Sequence, residues 1–165
     1  MKTGVNVLVV VGLVCGLSTL GWAQDGNKGE QRAEKRAEKI GEIKAKRDAK
    51  FDEHMAQWQK RHDEFIAKLT ERLANCKRLT ADERTGIVDF FEQQYKENVS
   101  FREGQHEENM KFLDTLVDPT LTHAQIREKI KAFMATQKGE NQEHRAQQKD
   151  ERQAERDKIK AEKKD

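Results

Sequence analysis

From Phe51 to Cys76 the chain reads FDEHMAQWQKRHDEFIAKLTERLANC. Its apolar positions are Phe51, Met55, Trp58, Phe65, Leu69, Leu73 and Cys76, with His62 filling the one gap in the series. Every step is three or four residues, close to the ~3.6-residue repeat of an α-helix, so the series marks one side of a helix. Nothing that follows alternates with period two over the length of a strand, and the one proline is Pro119. The fold class that this predicts is all-α.

Upstream, EQRAEKRAEKIGEIKAKRDAK (30–50) extends the same helix back to about Gly29, with a thin apolar face of Ala33, Ala37, Ile40 and Ile43. Downstream, a second helix is expected from Ala81 to about Val117. Its ends are apolar (Ile87, Val88, Phe90, Phe91, Tyr95; then Met110, Phe112, Leu113, Leu116, Val117), and its middle, KENVSFREGQHEEN (96–109), is polar. Gly104 in that middle is a weak point, costing about 1 kcal/mol relative to alanine. Asp118-Pro119 stops the helix, because proline disfavours helical geometry in the residue before it. A third helix starts at His123 with Ile126, Ile130, Phe133 and Met134 on its inner face. Beyond Gly139 the tail ENQEHRAQQKDERQAERDKIKAEKKD (140–165) has helical composition and almost nothing apolar to bury, so its last stretch is expected to fray or be disordered. The expected architecture is an antiparallel hairpin array of three long helices with polar helical or disordered ends. Residues 24–50 form a charged helical extension, 51–138 the helical core and 139–165 the tail.

Lys and Arg number 32 against 30 Asp and Glu, and charged residues reach 38% of the chain. Dense charge of both signs with a net of only +2 describes solvated helix faces and argues against a nucleic-acid partner. A core this small favours burial of further surface in a homodimer.

The N-terminus has the pattern of an export signal over residues 1–23. Lys2 precedes an apolar run from Val5 to Leu20, and Gly21-Trp22-Ala23 places small residues at −3 and −1 of a cleavage before Gln24. The expected location is periplasmic or secreted, with no stable membrane insertion after cleavage. Cys76 would then be the single cysteine remaining. Its place in the apolar series points to burial, while an unpaired cysteine in an oxidising compartment offers an intermolecular disulfide.

Two stretches echo each other, RLTADERTGI (78–87) and TLTHAQIREKI (120–130). Both fall where one expected helix has ended and the next begins. Thr80 and Thr122 are placed as N-caps, with Glu83 and Gln125 three residues on to close capping boxes, each cap being worth ~1 kcal/mol. Leu79 and Leu121, just outside the helices, are placed to tuck into the bundle.

With the export signal and the charged, all-helical remainder, these motifs resemble the LTxxQ-motif family of Spy/CpxP-like periplasmic stress proteins. LTHAQ fits the motif fully, whereas LTADE carries Glu83 in place of glutamine, and the likeness spans Trp58 to Gln142. The resemblance implies a thin, curved, all-α dimer that acts without ATP as a chaperone or envelope-stress adaptor. It implies unfolded or misfolded envelope proteins as partners, held on a face that mixes apolar and charged side chains. Phe51, Met55, Trp58, Phe101, Met110 and Met134 are candidates for that face, since aromatic and methionine side chains adapt to varied apolar partners.

Other chemistry finds little support. Five histidines are present, but His54 and His62 lie eight apart, His106, His123 and His144 are scattered, and no Cys-x-x-Cys occurs. No metal site or cofactor is expected from such spacing. The carboxylates alternate with Lys and Arg at helix-surface spacing, and no nucleophile–base pattern or glycine-rich phosphate loop is visible, so catalysis is not expected. Rivals to the chaperone reading are a structural coiled-coil protein of the envelope and a periplasmic metal-binding sensor.

Overall fold

The computed structural model describes residues 28–161. The predicted export signal at 1–23 lies outside them. Three helices account for most of the described chain, α1 (Lys28–Ala74), α2 (Ala81–Asp114) and α3 (His123–Ala161), and among the described residues there is no strand. At ~1.5 Å per residue the 47 residues of α1 make a rod about 70 Å long. Its sequence is rich in Ala, Glu, Lys, Arg and Gln, which lose little side-chain freedom in a helix. No helix among the described residues is long and apolar enough to cross a membrane.

Both connections are short and bonded to themselves. After Ala74 the chain turns through Cys76 N–H donating to Leu73 O at 3.0 Å, and Arg84 reaches back to Cys76 O and Leu79 O at 2.9 and 2.8 Å. At the start of α2 the Thr80 hydroxyl accepts from Glu83 N–H at 3.2 Å, while the Glu83 carboxylate accepts from Thr80 N–H. At the start of α3 the Thr122 hydroxyl accepts from Gln125 N–H at 3.3 Å, and Gln125 Oε1 accepts from Thr122 N–H at 2.8 Å. The α2 helix closes at Asp114, short of the expected Val117. The reason is local: Thr115, Leu116 and Val117 each donate to the carbonyl three residues back, a tighter winding that ends the α-helix. Asp118 Oδ1 then accepts from both the backbone N–H and the hydroxyl of Thr120.

Side-chain pairs fix the directions. Between α1 and α2 they run from Phe65–Phe91 through Phe51–His106 to Lys44–Asp114, and between α2 and α3 from Gln94–Gln148 through Arg102–Asn141 to Phe112–Phe133. Numbers rise on one helix as they fall on the next, so each neighbouring pair is antiparallel and α2 is the shared middle. The apolar core sits at one end, beside the α2–α3 turn. There Ile40, Leu113, Leu116, Ile126 and Ile130 are buried, with Met110, Leu121 and Met134 among the residues packed against them. On α1 the buried neighbour of this core is Arg36, whereas Ala37 is exposed. The Arg36 guanidinium donates to Leu116 O and Asp118 O, two carbonyls of the turn that follows α2.

Away from that end the seams change character. The charged tail, expected to be helical or disordered, is helical through Ala161 among the described residues. The polar middle of α2 and the polar tail cover each other: Gln94, Gln105 and Gln148 are among the buried side chains. Gln94 Nε2 donates to Gln148 O and Gln148 Nε2 donates to Gln94 O, a reciprocal pair at 3.2 and 3.3 Å. Asn98 Nδ2 donates to Gln148 Oε1 at 2.7 Å, and Arg102 donates to Asn141 at 3.3 Å.

Candidate functional site

Midway along the α1–α2 seam the helices leave an open hollow of about 350 Å³, lined by Trp58, Arg61, His62, Phe65 and Tyr95. On α1, Trp58, His62 and Phe65 follow one another at four and three residues, so the helix itself brings them to one side, with Arg61 beside His62 at the rim. Tyr95 enters from α2 and fixes the floor. Its ring stacks on His62 with centroids 3.7 Å apart, Trp58 meets it edge-on at 5.4 Å, and its hydroxyl donates to Gln59 at 2.7 Å. Burial, followed by the charges of Asp63 and Glu92, raises the Tyr95 pKa, so the phenol stays neutral and keeps the proton it donates to Gln59. Phe65 forms the outer wall. It is 44% exposed, the large apolar side chain that the fold leaves most open among the described residues, and it meets Phe91 edge-on, which in turn meets Phe90. Arg61 adds a guanidinium at the rim and is exposed. The hollow offers aromatic faces with one exposed cation at the rim, a set suited to an apolar or aromatic side chain with a polar neighbour.

The residues singled out from sequence fall in three places. Trp58 lines the hollow, with half-buried Met55 one turn before it on α1. Phe51 and Phe101 lie at the helix seams, stacked under His106 and His144. Met110 and Met134 pack against the apolar core at the end of the bundle. Of the motif residues, Leu79 is buried beneath the α1–α2 turn and Leu121 packs on the core, while Thr80, Thr122 and Gln125 are exposed caps. Cys76 is a free, half-buried thiol in the α1–α2 turn, just past the helix whose apolar series it completes. Among the described residues no three His, Cys, Asp or Glu side chains converge to hold a metal ion.

The sequence does not single out Arg61 or Tyr95 as site residues. It leaves Phe65 open between core and binding face, and only the placement of α2 shows that its ring is exposed. Nor does it single out the amide seam, although a regular spacing is present in Gln137, Asn141, His144, Gln148 and Glu151, at steps of four and three. Comparison with known proteins finds no matching family model, no matching curated protein and no matching solved structure.

Proposed function

We propose that this chain is an exported, non-catalytic holdase that binds unfolded envelope proteins without ATP, either as a chaperone or as an envelope-stress adaptor, and that it works as a homodimer. The observation that carries the reading is the hollow at Trp58, Phe65 and Tyr95. It holds aromatic surface open to solvent within helices whose other faces are charged. Such a surface would hold an apolar segment of a client while the surrounding charges keep the complex in solution and speed encounter. Release would follow from weak binding and client folding. Dimerisation would enlarge the face, and the Cys76 thiol in the turn is the group that could link two copies in an oxidising compartment.

Light scattering of a denatured model substrate tests this. Roughly stoichiometric protein should suppress aggregation without nucleotide, and Phe65→Ser together with Trp58→Ser should weaken suppression while helicity by circular dichroism is retained. Unchanged scattering at several-fold molar excess of folded protein rejects the holdase. The 47-residue rod of α1 would then favour the second reading, a structural coiled-coil spacer of the envelope.

A further inference from the structure

Three histidines occupy one kind of seat. His62 of α1 stacks on Tyr95 of α2, and its Nε2 reaches Glu92 at 3.1 Å. His106 of α2 stacks on Phe51 of α1 at 4.0 Å and reaches Asp48 at 2.8 Å. His144 of α3 stacks on Phe101 of α2 at 4.0 Å and reaches Asn98 at 3.0 Å. Each time the polar partner stands three residues before the aromatic on the neighbouring helix, in DAKF (48–51), EQQY (92–95) and NVSF (98–101). Residues three apart share a helix face, so each of these tetrapeptides presents a ring and an acceptor to one incoming imidazole. One difference divides the seats. The two between α1 and α2 supply a carboxylate, and the one between α2 and α3 supplies a neutral amide.

The orientation of that amide is fixed by its own bonds. Asn98 Nδ2 donates to Gln94 O and to Gln148 Oε1, both at 2.7 Å, which leaves Oδ1 as an acceptor for His144. The imidazole must therefore carry its proton on Nε2, and it completes the seam as a neutral ring.

We infer that mild acidification loosens the docking of the outer half of α3, from about Gln137 onward, against α2 while leaving the α1–α2 hairpin closed. At His62 and His106 a carboxylate stands against the imidazole, Glu92 and Asp48 respectively. Protonating His144 places a charge in a seam of amides instead. The charged groups around it are Arg102 and Glu97 from α2 and Glu151 from α3 itself. Burial, then Arg102, outweigh the two carboxylates and hold the imidazole below its ordinary range. A released His144 therefore takes up a proton that the docked one resists. The docked seam is at full strength well above about pH 6.5 and weakens as the pH falls through that value. Glu140 acts in the opposite sense: burial and the facing Glu108 raise its carboxyl, so protonation there relieves the seam, but only on approach to the carboxylate range. Between pH 7.5 and 6 the histidine governs. The inner half of α3 stays in place because Ile126 and Ile130 are in the apolar core and Phe133 stacks on Phe112 at 4.1 Å. Release would uncover Phe101 and the amide face of α2, a surface separate from the hollow and independent of the holdase reading.

Hydrogen exchange on the full chain at pH 7.5 and 6.0, corrected for the intrinsic rate, tests it. Amides of residues 141–155 should lose protection by a factor of up to about four, while those of 48–62 hold theirs. His144→Gln, which keeps a donor for Asn98 Oδ1, should abolish the difference, and Glu140→Gln should leave it. Equal protection of 141–155 at the two pH values overturns the inference. So does a loss that persists in His144→Gln, or one shared equally by 48–62.

Discussion

The hydroxyls of Thr80 and Thr122 each accept a backbone N–H three residues ahead, and the side chains of Glu83 and Gln125 close the boxes from the other side. Removing either hydroxyl leaves a first-turn donor without its acceptor at a helix start that is otherwise exposed to water. Thr80→Ala and Thr122→Ala should each lower stability by about 1 kcal/mol, and Thr→Ser should be nearly silent, as read from thermal melts. Equal losses from alanine and serine would mean that the methyl group, not the hydroxyl, holds the turn. These caps were legible in the sequence because both partners lie within four residues. The histidine seats were not, although each has a short pattern of its own. His62 is buried because Tyr95, 33 positions later, lies flat against it, and no local rule pairs those two residues.

At the scale of the helix, period was the readable quantity, and it placed α1, α2 and α3 where hydrophobic spacing was strong. It failed where the buried residues are amides. Hydrophobicity cannot distinguish a glutamine facing solvent from one bonded across a seam, so the middle of α2 and the tail of α3 both looked solvated, yet each is the other's cover. Each net amide bond contributes only about 0.5–1.5 kcal/mol, but leaving such groups unpaired would cost more, which is why the seam persists once the helices are aligned by their apolar ends. Gly104 stands in the middle of that stretch, inside a continuous helix and with nothing within 4 Å of where a Cβ would sit. It needs no close approach and no unusual backbone geometry. Gly104→Ala should therefore raise stability, by up to about 1 kcal/mol, through the reduced freedom of the unfolded chain. A denaturant titration showing a higher midpoint at unchanged slope is the expected result. A fall would mean that α2 has to bend there.

Across the whole molecule the apolar residues are unevenly shared, and stability should follow them. Ile40, Leu113, Leu116, Ile126 and Ile130 join all three helices at one end. The α1–α2 seam continues from there with aromatic rings at Phe51, Trp58, Tyr95, Phe65 and Phe91. The α2–α3 seam continues with Gln94, Asn98, Asn141, His144 and Gln148, and Phe101 is the ring beneath that histidine. Amide bonds exchange readily for bonds to water, whereas exposing rings costs apolar surface, so the outer half of α3 is the element with the least to lose on opening. Local opening free energies in proteins range from near zero to the global value, and the gradient here runs along the bundle from the apolar end outward. Limited trypsin digestion at neutral pH should therefore cut first within Arg145–Lys160, where Arg145, Lys149, Arg152, Arg156 and Lys158 are all exposed. The five lysines and arginines of α1 from Lys44 to Lys60 should resist longer, because cleavage there requires the aromatic seam to open. Mass spectrometry of the early fragments should show a product that has lost its C-terminal segment and keeps Lys44–Lys60 intact. First cuts in α1 would instead place the weaker seam between α1 and α2, with the aromatic rings contributing less than the amides.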